Sequence, residues 1–262
     1  MEMKMGGKNS KIVLSPTFNL PTLKTPCLFK GKVRGDPLSK VFVSGCHNSS
    51  EILVSIASSE LPGGVLDLSL VDGVTSIVTD DSKPEDYMMN QDYSSEGNYP
   101  DYIYPPTSRY QSTSHYSGKL PSSVVLTTNI VYDYSLLKYF NLDHKKTQAW
   151  VDKVVGLTKI RMYHWSLGLR IKLRIGTVKY KYDHIRADLK ILEYLYKKRL
   201  PTLTSYFCQD FKHANKGWAS IGSACRRDGY AVNIVELYSR SNSEFLSAQT
   251  FAHELGHNVG ML

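Results

Sequence analysis

His253, Glu254 and His257 stand in the stretch "FAHELGHNVGML" of a 262-residue chain, and their types and spacing suit one kind of chemistry. Two histidines four residues apart on an α-helix project from one face a single turn apart, so their ring nitrogens can hold one zinc ion. Glu254 then sits beside them at the height of the metal. A carboxylate there can take a proton from a zinc-activated water, whose pKa falls to about 7, and pass it to the leaving amine of a peptide bond. With 8 His in the chain, HExxH arises by chance about once in a hundred such sequences, and a glycine three places later lowers that to well under one in a thousand. The alternative is an ordinary helix with two surface histidines. The remaining histidines, His47, His115, His144, His164, His184 and His213, lack this partner spacing and are read as solvated.

Gly260 falls where the longer motif HExxHxxGxxH breaks the helix, so that the chain turns and brings a third histidine to the metal. By that spacing the third ligand belongs one residue beyond Leu262. The chain is therefore expected to be a fragment of a longer protein, and Zn2+ held by His253 and His257 alone is expected to bind weakly. The helix that carries the motif is predicted over Ser243 to Asn258. Ser241 and Glu244 have the spacing of a capping box, and Phe245, Ala248, Ala252, Leu255 and Val259 supply a buried stripe.

Upstream, three segments differ in composition. Residues 1–80 are β-rich, with "SKVFVSGC", "SEILVSIAS" and "GVLDLSLVDGVTSIVT" punctuated by Gly, Asn and Ser. Residues 81–120 hold seven tyrosines with Ser, Pro and Asp but almost no aliphatic residues, which reads as a linker. Residues 121–262 alternate strand and helix. "SVVLTTNIVYD" and "LRIKLRIGTVKY" are strand-like, Trp150, Val154, Leu157 and Ile160 recur at helical steps, and "DHIRADLKILEYLYKKRL" forms a second helix ended by Pro201. Strand, helix, strand in this order implies a right-handed crossover and a largely parallel sheet.

A composition of 42% hydrophobic and 21% charged residues is that of a soluble globular protein. No apolar run approaches the roughly 20 residues that span a bilayer, so no membrane segment is expected. The first twenty residues lack the apolar core of a secretory signal, and the N-terminus is expected to be incomplete. The net charge of +8 is concentrated in the second half, where residues 121–262 hold 21 Lys and Arg against 11 Asp and Glu. These cations alternate with apolar residues and no nucleic-acid-binding signature accompanies them, so a solvated face is favoured over nucleic acid. Cys27, Cys46, Cys208 and Cys225 show no CxxC spacing, which excludes a cysteine-rich zinc site and leaves two disulfides or four free thiols open.

The segment "GWASIGSACRRDGYAVNIVELYSRSNSEFLSAQTFAHELGHNVGML" resembles the catalytic domain of the ADAM and ADAMTS metalloproteases, the reprolysin (adamalysin) branch of the metzincins, and "CLFKGKVRGDPLSKVFVSGC" resembles their propeptide. The resemblance implies an α/β fold with a metzincin-type, mostly parallel sheet and an active-site helix. A small β-rich prodomain would precede it, and the C-terminal subdomain would be missing. It makes His253 and His257 zinc ligands, Glu254 the catalytic base and Gly260 the active-site turn, with "YAVNIVE" as the edge strand that receives extended substrate. It further implies a zymogen, a secreted or extracellular location, and protein substrates of the extracellular matrix or cell surface. A calcium ion is left open. No cysteine lies between His47 and Phe207 and the linker holds no RxxR site, so neither a thiolate switch nor a basic processing site is expected. Cys27 and Cys46 are expected to pair, closing a loop of about 20 residues worth roughly 3 kcal/mol, with Cys208 and Cys225 pairing by default. The runner-up function is a catalytically inactive binding or decoy protein. The intact Glu254 favours the enzyme.

Overall fold

The computed structural model describes residues 2–5, 8–16, 27–45, 50–58, 61, 64–72, 74–77, 102–103, 123–162, 170–181, 202–210, 216–226, 230–238 and 243–261. Among these, two sheets enclose a helical layer.

The first sheet contains β1 (Glu2–Met5), β2 (Lys8–Pro16), β3 (Leu28–Val33), β4 (Lys40–Ser44), β5 (Glu51–Ala57), β6 (Val65–Val71) and β7 (Val74–Ile77). Each strand pairs antiparallel with the next, so spatial order follows sequence order. Val41, Val43, Val54 and Ile56 share one face of β4 and β5 and join Ile12, Val33 and Leu68 in a core that belongs to this sheet alone. Phe42, Leu53 and Ala57 point the other way, into the main core. Burial on both faces explains why these central strands read as continuous apolar runs rather than as alternation.

The second sheet has the order β10-β9-β11-β13-β12-β8, from β8 (Tyr102–Ile103), β9 (Ser123–Tyr132), β10 (Arg170–Tyr180), β11 (Leu203–Cys208), β12 (Gly217–Ser220) and β13 (Val232–Glu236). β10, β9, β11 and β13 run parallel, β12 is antiparallel to β13, and β8 is parallel to β12. The chain is thus a mixed α/β protein. Parallel neighbours need crossovers, and between β9 and β10 the crossover contains α1 (Tyr134–Tyr139) and α2 (His144–Met162). Asp133 caps α1, accepting from the Leu136 amide at 3.0 Å.

α2 lies between the sheets, packed on β4 and β5 from one side, on β10 from another, and on α3 (Ser243–Asn258). Trp150, Val154, Leu157 and Ile160 are all buried, but so are Val151, Val155 and Thr158 between them. A helix with neighbours on several sides carries no single apolar stripe. Gly156 permits the closest approach, because a Cβ there would lie 2.2 Å from the Phe42 ring. An Arg161–Asp67 ion pair ties α2 to β6, and Lys153 Nζ donates to Glu244 Oε1 at 3.2 Å on α3.

Two expectations are corrected and three fall wholly or partly outside the described residues. "YAVNIVE" is not the edge: β13 lies between β11 and β12, and all five of its residues are buried, as befits an interior strand. β12 takes its place toward the rim, with β8 outside it. Cys208 and Cys225 are both free, the first fully buried at the end of β11 and the second exposed. Burial, and after it the nearby Asp133 charge, push the Cys208 thiol well up, which keeps it protonated and inert. Cys27 is disulfide-bonded, while Cys46 lies outside the described residues. So do the helix expected after Tyr182 and the 81–120 linker, apart from Tyr102 and Ile103 in β8.

Candidate metal centre

α3, "SEFLSAQTFAHELGHN", buries two faces of different character. Phe245, Ala248, Phe251 and Leu255 are at most 2% exposed and enter the main core, where Phe251 meets Phe207 edge to face at 5.0 Å. The small Ala248 lets α2 come close enough for Thr158 Oγ1 to donate to its carbonyl at 3.2 Å.

The second face is polar and equally buried. Ser247, Thr250, Glu254 and Asn258 follow one another at steps of three or four residues, hence along one side of the helix. Ser247 Oγ accepts from the Tyr238 amide at 3.3 Å, and Thr250 Oγ1 lies 3.3 Å from the Tyr238 hydroxyl. Glu254, 1% exposed, lays its carboxylate against Gly217 at the start of β12. A Cβ at residue 217 would fall 2.3 Å from Glu254 Oε1 and 2.7 Å from Thr250 Cγ2. Only glycine leaves room for the carboxylate there.

Asn258 secures the end of the helix. Its Nδ2 lies 3.0 Å from each of three acceptors, the Ser220 carbonyl, Ser223 Oγ and the Val232 carbonyl. Its Oδ1 accepts from Asn233 Nδ2 at 2.6 Å. Backbone bonds from Gly222 to the His257 carbonyl and from Ala224 to the Asn258 carbonyl, both 2.8 Å, satisfy groups that a helix terminus leaves open. β12, the loop after it and β13 therefore hold the last turn of α3 in place.

Gly260, at φ +95°, takes the left-handed position that ends the helix. Its amide donates to the His257 carbonyl at 2.9 Å and the Met261 amide to the Gly256 carbonyl at 3.0 Å, the two bonds of a Schellman motif.

This turn has a consequence for His257. Its Nδ1 lies 3.0 Å from the Met261 carbonyl, and its Nε2 lies 2.9 Å from His253 Nε2, with the two rings nearly perpendicular at 85°. Donation from Nδ1 to the carbonyl leaves the Nε2 lone pair outward, as a metal ligand requires. Two imidazole nitrogens 2.9 Å apart fall within the span of one zinc ion, whose Zn–N bonds are roughly 2.0–2.1 Å. His257 is 5% exposed, whereas His253 is open to solvent. Among the described residues no third His, Cys, Asp or Glu joins them, and His213 lies outside those residues. His144, read as solvated, is exposed but lies 3.1 Å from the Tyr132 hydroxyl.

Sequence reasoning did not reach Gly217, Asn233 or Asn258. The available signals were a lone amide inside the apolar "VNIVE" and an asparagine immediately after the second histidine.

The reprolysin-like profile of metallo-peptidase family M12B matches residues 195–261. Two proteins of Naja atra are similar over 166 residues, 59% of this chain: zinc metalloproteinase-disintegrin-like atragin at 27% identity and the kaouthiagin-like protein at 28%. The chain spans 26% and 27% of their lengths. Among solved structures, metalloproteinase-II from Bacteroides fragilis aligns at a TM-score of 0.40 and 14% identity, over 99% of this chain and 79% of that one. The matched segment contains His253, Glu254, His257 and Gly260 together with the strands that hold them, and over that segment the chain is similar to the reprolysin-like metallopeptidases of family M12B.

Proposed function

We propose that the chain is part of a secreted, ADAM- or ADAMTS-like zinc metalloendopeptidase zymogen. Residues 1–80 form its prodomain, 81–120 a linker and 121–262 the catalytic unit. The convergence of two histidine Nε2 atoms 2.9 Å apart, on the helix that also carries Glu254, supports this reading most directly. The disulfide at Cys27 favours an oxidising compartment, and a Cys27–Cys46 pairing is part of the proposal.

His253 and His257 would hold the zinc through Nε2, and the ion would supply carbonyl polarisation and a water of lowered pKa. Glu254 acts as the general base, taking the water proton on its carboxylate and returning it to the leaving amine. Gly217 fixes where that carboxylate lies. Met261, through its carbonyl, sets the tautomer of His257.

Extended substrate needs a free strand edge to pair with. β13 has none, so the receiving strand is β12, whose first residue touches the Glu254 carboxylate. That edge is taken by β8, with Tyr102 opposite Ala219 and Ile103 opposite Ser220. Substrate and the chain's own segment therefore compete for one edge, which suits a zymogen. Protein substrates of the extracellular matrix or cell surface are the expected targets.

The test is cleavage of an unfolded protein such as reduced casein in the presence of Zn2+, with a chelator control, by the chain extended past residue 262 to carry the expected third histidine and by its Glu254→Gln variant, the 262-residue chain alone being expected to cleave little or nothing. Chelator-sensitive cleavage that Glu254→Gln abolishes is expected. Cleavage that survives both treatments overturns the reading. Titration with Co2+ gives a second readout: the absorption bands of a bound ion should weaken in His253→Ala and His257→Ala, and unchanged binding in either would remove that residue from the ligand set.

A further inference from the structure

A cleft of about 930 Å³ opens where the first sheet meets α2 and β10, away from the metal centre. Its volume is within the range of small-molecule sites, roughly 300–1,000 Å³. Leu28, Phe42, Ile160, Ile171 and Leu173 line its walls. Lysines from four elements complete the lining: Lys30 and Lys32 on β3, Lys40 on β4, Lys159 on α2 and Lys172 on β10. No Asp or Glu lines the cleft among the described residues.

This charge arrangement is costly as it stands. Lys159 is partly buried in the wall, and burial first, then the Lys30 charge, lower its pKa despite a counteracting effect of Asp152. Lys30 is exposed on the adjoining strand. Among the described residues neither takes part in an ion pair within 4.0 Å, in contrast to Lys153, Arg161 and Lys216. A cation half withdrawn from water beside a second cation is stabilised by an anion between them. The apolar walls favour an alkyl chain over a fully polar anion.

We propose that this cleft binds an amphiphilic anion, a medium- or long-chain carboxylate whose head meets Lys30 and Lys159 and whose chain lies along Leu28, Phe42 and Ile171. Each end of the ligand answers a different part of the wall. A charge-assisted contact from each lysine satisfies the head group, and the chain covers apolar surface between sheet and helix. Because the wall includes β3, β4, α2 and β10, the bound molecule would bridge the first sheet and the α/β unit. The inference is independent of the peptidase reading.

Isothermal titration of the whole chain with laurate, below its micellar concentration, tests it. Expected is saturable one-to-one binding. Butyrate, which lacks the chain, and dodecyltrimethylammonium, which reverses the head charge, should each bind at least about tenfold more weakly. Lys30→Glu, at an exposed position, and Lys159→Gln should each weaken laurate about tenfold or more, with far-UV circular dichroism confirming that both variants fold. Absence of laurate binding overturns the proposal. So does equal affinity for the cationic detergent, which would mark a merely greasy surface, or equal affinity for butyrate, which would mark a merely basic one. An oligo-aspartate peptide binding more tightly than laurate would replace the ligand with an acidic protein segment, and laurate affinity unchanged in both lysine variants would place the head group elsewhere.

Discussion

Replacing Gly217 by alanine tests whether the start of β12 positions the Glu254 carboxylate. The added methyl would lie 2.3 Å from Oε1 and 2.8 Å from Cδ of Glu254, and 2.7 Å from Thr250 Cγ2. Favourable contact between such atoms begins beyond 3 Å, so the carboxylate must retreat by roughly 1 Å. Glu254 is 1% exposed and Thr250 6%, which leaves the side chains little free space to move into. Overpacking of this kind costs about 1–3 kcal/mol. Two of the three close atoms belong to Glu254, so most of the cost should vanish when that side chain is removed. A double-mutant cycle of Gly217→Ala with Glu254→Ala, read by urea unfolding through the fluorescence of the buried Trp218 and Trp150, should give a coupling of about 1 kcal/mol or more in the relieving direction. The effect on catalysis is separate, since a displacement of about 1 Å in a general base is worth on the order of a hundredfold in rate. If Gly217→Ala costs the same with and without the Glu254 side chain, the carboxylate does not rest on β12 and its proposed placement fails.

Asn258→Ala removes a side chain with four buried polar partners and should cost about 2–4 kcal/mol in urea unfolding; a loss below 0.5 kcal/mol would show that the last turn is not held this way. Burial raises the Asp133 carboxyl above its ordinary 3.8 in the folded state, so the stability this group contributes is fully present below the unfolded value and is lost as pH rises through the folded one. The unfolding free energy of the wild type, minus that of Asp133→Asn, should therefore fall as pH rises from 3.8 upward, and a difference that rises over this window refutes the assignment. In the chain extended to carry the third histidine, Tyr102→Pro with Ile103→Pro deletes both amide donors of β8 and should raise casein turnover several-fold if that strand blocks the substrate edge; unchanged turnover would remove β8 from the zymogen proposal.

What was legible in the sequence was local, and what was hidden depends on long-range placement. The α3 boundaries, Ser243 to Asn258, follow from a periodic stripe and a glycine beyond the last turn, signals that lie within one element. β9 and β10 were legible for the same reason, as runs of β-branched residues between turn signals. The position of β13 was not legible. "YAVNIVE" and "GWAS" both read as short apolar strands, and which of them lies inside depends on β11, more than twenty residues upstream, pairing with the first. β8 was invisible because two residues carry no periodicity, and a tyrosine-rich stretch that cannot bury a core can still lend backbone donors to an edge. α2 shows the opposite failure. Its helical spacing was clear, yet Gly156 reads as a weak point in a helix and proves to be the surface on which Phe42 rests. The polar ribbon of Ser247, Thr250, Glu254 and Asn258 carries the same lesson into the site. On a helical wheel these residues mark a solvated face, and only the arrival of β12, β13 and Tyr238 turns them into the buried surface that aims Glu254 and fixes His257. The motif names the groups proposed to react, but their placement comes from residues outside it whose types are informative only once their neighbours are known.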